Sequence, residues 1–312
     1  MMVPLVLLVL GALAAATAPR LLSRADWPER EPVLALCVWQ CVVAAVLLCC
    51  VLAMALTASA AWAAVRGNVF AFAPRGVVEA YGLPGYGRWS GTVAVGLALG
   101  GAWTVAMLTR EIRGARSRRR QRRIELRARA PRLPGEMVPA GERLVVLEDV
   151  RSDAWWLSGA QPQLVITTAA LRRLRGRSLD AVLAHEQGHA RARHDVLLHC
   201  AGALAGGFPQ VPVFAAFRDQ VHHLVELAAD DTASRRFGRL ATALALVELN
   251  EGRAVFGPGP APFGALPGRV NRLLDPGPRL TVGRRLRVTA FALLAPAVPL
   301  VIAFGPGLHA LT

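Results

Sequence analysis

Ala181-Val182-Leu183-Ala184-His185-Glu186-Gln187-Gly188-His189 is an apolar run of good helix formers that carries the pattern His-Glu-x-x-His. At 3.6 residues per turn, His185 and His189 fall one above the other on one helix face. Two neutral imidazoles held that way can bind one zinc ion at about 2.0–2.1 Å per nitrogen. Glu186, one residue beyond the first of them, reaches the metal's water rather than the metal and can take its proton. The bland alternative is a helix with two ordinary histidines. Ser178 is placed to cap the start of the helix, with Asp180 in its first turn. Gly188 costs about 1 kcal/mol in a helix interior, which predicts that something packs closely against it.

A tetrahedral catalytic site needs a third protein ligand and leaves its fourth position to water. Glu226-Leu227-Ala228-Ala229-Asp230 offers one, because Glu226 and Asp230 are four apart and share a helix face. Glu226 is placed to ligate while Asp230 accepts a hydrogen bond from the free ring N–H of a ligand histidine, expected to be His185. A solvated acidic face is the competing account, and Asp231 with Arg235-Arg236 fits it.

His185-Glu186-x-x-His189 followed by Glu226-x-x-Ala229-Asp230-x-x-Ala233 resembles the gluzincin metallopeptidases. Within these it is most similar to the BlaR/MecR-type membrane metallopeptidases, with the HtpX and CAAX-protease group as close relatives. Gln163-Leu164-Val165-Ile166-Thr167-Thr168-Ala169-Ala170-Leu171 resembles the strand and helix start that precede the zinc helix in that family, and Arg193-His194-Asp195 also fits. The resemblance covers about residues 145–250. It implies Zn2+, a Glu general base and a protein substrate. The beta-lactam sensor-transducers of this type carry a large penicillin-binding domain after their last span. Few residues follow Gly305 here, so the expectation is a chain without that sensor.

Composition adds the membrane. Of 312 residues 54% are hydrophobic, far above an ordinary soluble domain, and the net charge of +15 comes wholly from Arg. That bias, with abundant Ala, Gly and Pro, points to a GC-rich bacterial genome. The five cysteines form no disulfide framework or metal spacing and read as packing residues.

In chain order, residues 2–18 read as a first span, with a cleaved signal peptide as the rival; the absence of a positive leader favours the anchor. Residues 33–58 read as a second span, 66–90 as an external loop and 91–109 as a third span. The arginine run 110–132 abuts that span and lacks interleaved aromatics, so it reads as a lipid-facing basic segment rather than a nucleic-acid site. After it, Arg143–Leu147 and the region from Trp155 to Thr168 read as strands. For the second, the gluzincin resemblance implies an edge offered to an extended peptide; the alternative is a core strand with no exposed edge. Val196–Phe217 reads as a buried or membrane-dipping helical hairpin. Residues 251–268 read as a loop, and a last span is expected at about Val288–Phe304, kinked by Pro296 and Pro299. His222, His223 and Arg235 are the candidates for supporting an oxyanion.

The expected architecture is mainly α: a multi-span membrane protein with an α+β, gluzincin-like zinc peptidase domain between spans three and four. Its parts are residues 1–109, the basic segment 110–132, the peptidase domain 133–280 and the C-terminal span and tail 281–312. The expected activity is zinc-dependent endoproteolysis, with His185, His189 and Glu226 as ligands, Glu186 as base and Asp230 behind His185. Expected partners are a protein or peptide substrate and the lipid bilayer of a bacterial cell, with no nucleic acid. By family analogy the substrate is a cytosolic transcriptional repressor. Quality-control proteolysis of the HtpX kind and a signalling scaffold with a vestigial metal site are the alternatives. The positive-inside rule places the peptidase domain in the cytoplasm and both termini outside.

Overall fold

The computed structural model describes residues 2–66, 143–157, 163–250 and 265–309, with scattered helical positions between 96 and 124. The expected external loop, third span, basic segment and most of the 251–268 loop lie wholly or largely outside the described residues.

The described chain is mainly helical. Two apolar helices, α1 (Met2–Ser23) and α3 (Pro32–Arg66), are joined by the short α2 (Trp27–Arg30). Both are long and apolar enough to cross a membrane. They pack antiparallel: Leu7 lies with Cys49 and Ala53, and Leu22 lies with Leu34 and Val38 at the other end. Gly11 lets them close, since a Cβ there would stand 3.0 Å from the Cys49 Cβ. Two further helices, α10 (Val282–Leu294) and α11 (Ala297–His309), meet at a 46° bend and together have the length and composition of one more span.

Between them lies a small sheet of β1 (Arg143–Leu147), β2 (Ala154–Leu157) and β3 (Gln163–Thr167), in the order β1-β3-β2. β3 pairs parallel with β1 and antiparallel with β2. Both edges of β3 are therefore paired, and β1 and β2, the second with its two tryptophans, are the edge strands among the described residues. Thr167 ends β3 and starts α4 (Thr168–Arg173): its hydroxyl accepts the Ala170 N–H at 3.2 Å and donates to the Arg151 carbonyl at 2.8 Å.

Then follow α5 (Arg177–Arg191), α6 (His194–Gly207), α7 (Pro212–Phe237), α8 (Arg239–Asn250) and α9 (Ala265–Leu274). α5 is seated on the sheet and on α8 by Ala181 and Val182, which join Ile166, Ala170, Leu174, Ala245 and Leu249 in one core. Ser178 does not cap it. Gly176, at φ 54, turns the chain in, so the helix begins one residue before Ser178. The α6–α7 hairpin is packed directly on the apolar helices: Leu204, Val213, Phe214, Phe217 and Val221 share a core with Ala15, Leu36, Trp39, Val43 and Val46.

Candidate metal centre

α5 and α7 make the site because they approach unusually closely. A Cβ at Gly188 would stand 3.3 Å from the Thr232 Cβ and 3.4 Å from the Ala229 Cα, so only glycine lets the two backbones meet without displacement. That closeness brings the His185-Glu186-x-x-His189 face of α5 onto the Glu226–Asp230 face of α7. The competing account of Glu226 and Asp230 as a solvated face fails at Asp230, whose side chain is 0% exposed.

The geometry is that of a half-built coordination polyhedron. His185 Nε2 and His189 Nε2 are 3.2 Å apart. The Glu226 carboxylate lies 3.5 Å from the first through Oε2 and 3.4 Å from the second through Oε1. Donors about 2.0–2.1 Å from a tetrahedral zinc stand about 3.4 Å from one another. The two imidazole nitrogens, and each of them with its nearer Glu226 oxygen, stand close to that spacing, and the donor set of two imidazoles and a carboxylate fits zinc.

Each donor is held from behind. His185 Nδ1 is 3.0 Å from Asp230 Oδ1, though the ring nitrogen has no aligned hydrogen-bond partner. His189 Nδ1 is 3.0 Å from Nδ1 of the buried His194, so one of these nitrogens carries the proton and the other accepts it. His194 reaches back because Arg193, at φ 50, turns the chain sharply between α5 and α6. Glu226 Oε2 is 2.9 Å from Arg269 Nη1, and the other nitrogens of that guanidinium, Nε and Nη2, each donate to Asp230 at 2.7 Å.

Electrostatics follow from this packing. Burial alone would push the His185 pKa down, but the close Asp230 and Glu226 carboxylates and their charges raise it to about 10. Burial lowers His189 to about 4, only partly offset by Glu226. Glu226 and Asp230 resist burial and lie below the usual carboxylate range, Glu226 chiefly through His185 and Arg269 and Asp230 chiefly through Arg269 and His185. Burial lifts Glu186 to about 7, against the opposing charge of His185. The backbone N–H of Trp156 on β2 donates to Glu186 Oε2 at 3.1 Å, which ties the edge strand to this carboxylate.

The structure therefore brings together all five residues singled out by spacing. It does not bring the expected oxyanion donors to them. His222 is exposed, His223 faces Glu29 at 3.9 Å, and Arg235 donates to the Thr232 hydroxyl at 3.2 Å. The cation at the site is Arg269, which sequence reasoning missed, as it missed the part played by His194. A signal for Arg269 existed: Leu266, Val270 and Leu273 recur at helical spacing, and they pack α9 against Ala243 and Leu246 of α8.

Residues 115–261 match the model of peptidase family M48. The match spans just under half of the chain and supports a metallopeptidase. No curated protein and no solved structure matches the chain. α9 and its Arg269 lie beyond the matched residues.

Proposed function

We propose that this protein is an integral-membrane zinc endopeptidase that hydrolyses peptide bonds of proteins at the cytoplasmic membrane face. His185, His189 and Glu226 hold the metal, Glu186 is the general base and Asp230 orients His185. The observation that carries this reading is the spacing of the donor groups, 3.2 to 3.5 Å apart, which suits a tetrahedral zinc. Bound zinc supplies a water of pKa about 7 and polarises the scissile carbonyl.

The chain's own residues do the rest. Glu186 takes a proton from the attacking water and passes it to the departing amine nitrogen, so one carboxyl serves first as base and then as acid. The Trp156 N–H occupies its Oε2 and fixes its rotamer, leaving the other oxygen to work. β2 runs beside α5 with its second edge unpaired by any described strand, which suits an extended peptide lying along it.

Cleavage of a transcriptional repressor rests on the BlaR/MecR resemblance alone. The seating of α6 and α7 on the apolar helices favours substrates at the membrane surface, and so also the quality-control role of HtpX-like proteases. Glu186→Gln separates a peptidase from a scaffold with a vestigial site. The variant is expected to retain zinc and fold yet lose cleavage by about 10²–10⁴-fold. Zinc by elemental analysis and cleavage of membrane proteins, compared between cells carrying either form, read the two halves. Wild-type proteolysis by Glu186→Gln rules the mechanism out.

A further inference from the structure

We infer that Arg269 is a positioning residue of the metal centre: it sets how Glu226 ligates and fixes Asp230 behind His185, making α9 part of the site. The inference rests on the ligand assignment proposed above.

The guanidinium is shared between Glu226 and Asp230 of α7. Its Nε and Nη2 donate to the two oxygens of Asp230, each at 2.7 Å, and its Nη1 lies 2.9 Å from Glu226 Oε2. Arg269 is 13% exposed and Asp230 is 0% exposed, so that pair is interior with little solvent screening, while Glu226, 39% exposed, stands at its open side. Two consequences follow. First, a carboxylate can ligate through one oxygen or both. With Oε2 engaged by Arg269, Glu226 is left to present Oε1, the oxygen facing His189 at 3.4 Å. One-oxygen ligation leaves the fourth position free for water, which a catalytic site needs and a two-oxygen carboxylate would crowd. Second, Asp230 sits 3.0 Å from the rear nitrogen of His185, so the same cation orients a second ligand through its acid.

Lysine cannot substitute. Its ammonium is a point charge on a flexible stem, whereas the guanidinium fork meets both Asp230 oxygens and still presents a third nitrogen to Glu226. The helix bearing this residue is itself fixed. Arg272, one turn on, lies 2.8 Å from Asp231 and donates to the Glu29 backbone carbonyl between the two apolar helices. α9 thus spans from the neighbour of Asp230 to the segment joining α1 and α3.

The test uses the full chain in detergent, with Arg269→Lys and the charge-neutral double variant Asp230→Asn/Arg269→Gln, whose partners remain matched if lysine is poorly tolerated. Both are expected to keep the helical circular-dichroism spectrum and metal-free melting temperature. Their zinc dissociation constant, by chelator competition, is expected to rise about 10–100-fold. On cobalt substitution, the intense visible band of four-coordinate metal is expected to weaken as Glu226 swings to two-oxygen binding. In turnover kcat should fall more than KM. Arg269→Lys with wild-type zinc affinity and cobalt spectrum overturns the inference and leaves the ligand set standing. Zinc affinity unchanged by Glu226→Ala removes the ligand set, and the inference with it.

Discussion

Asp230 is wholly buried and charged, and it is tolerated there because His185 and Arg269 both meet it. That single residue illustrates how the site divides labour between donors and the groups behind them. Glu226→Ala deletes a donor, so zinc retention should collapse, measured by metal analysis after dialysis against chelator; a variant holding zinc as tightly as wild type would falsify the third ligand. Asp230→Ala and His194→Ala remove supports rather than donors, and each should weaken affinity by only about 10–100-fold. An Asp230→Ala loss as large as that of Glu226→Ala would show that the acid binds metal directly. The donors were legible in the sequence because helical periodicity alone places residues 185 and 189, or 226 and 230, on one face. His194 and Arg269 were not. The first reaches the site only because Arg193 adopts a left-handed turn, and the second only because a separate helix docks from beyond residue 261.

Between helices the controlling quantity is how near α5 stands to α7, and Gly188 sets it. Valine there would drive its branched carbons into the Thr232 side chain and the Ala229 backbone, which are already 3.3 and 3.4 Å from an added Cβ. Both obstacles belong to the rigid middle of α7, so the helices must part. Overpacking of this kind costs about 1–3 kcal/mol, and here it also widens the gap between the histidines and Glu226. Gly188→Val should therefore lower both the melting temperature and zinc affinity, while a half-buried glycine with open space around it, Gly202, should accept alanine with neither change. If Gly188→Val keeps wild-type affinity, close approach is not what builds the site. This glycine was readable in advance because its helix cost demanded a reason. The strands were harder. The alternation from Trp155 to Thr168 pointed to extended chain, but which segment is the edge depends on the non-local pairing β1-β3-β2, which no local pattern encodes. α9 was hidden for a different reason: Pro267 and Gly268 stand in its first turn and mark a loop by composition, although proline is tolerated there.

At the scale of the whole molecule, the packing of the apolar helices fixes which ends lie together, and that makes topology testable. The α1–α3 junction lies against the peptidase, through Arg272 to the Glu29 carbonyl and Gly277 beside the Arg30 side chain. At the same end, Leu280 and Val288 lie with Leu34 and Val38. At the opposite end, Ile302 and Ala303 lie with Leu7, Cys49 and Ala53. The bent pair α10–α11 therefore runs along α3 from the level of Leu34 to that of Ala53, a path that suits a broken span and that the labelling below tests against a re-entrant loop. Arg20, Arg24 and Arg30 mark the peptidase end, and Arg284, Arg285 and Arg287 stand in the opening turns of α10 there, so the positive-inside rule predicts that this end faces the cytoplasm. Cysteine labelling with an impermeant reagent on intact cells, in a background free of the five native cysteines, reads this directly. A cysteine replacing Val150, which is 96% exposed beside the sheet, should react only after lysis. Cysteines at Gly82 and Leu311 should react from outside. Protection of Leu311 with Gly82 labelled would make α10–α11 re-entrant. Labelling of Val150 in unbroken cells would put the metal centre outside and exclude any cytosolic substrate, whatever the fate of the zinc site itself.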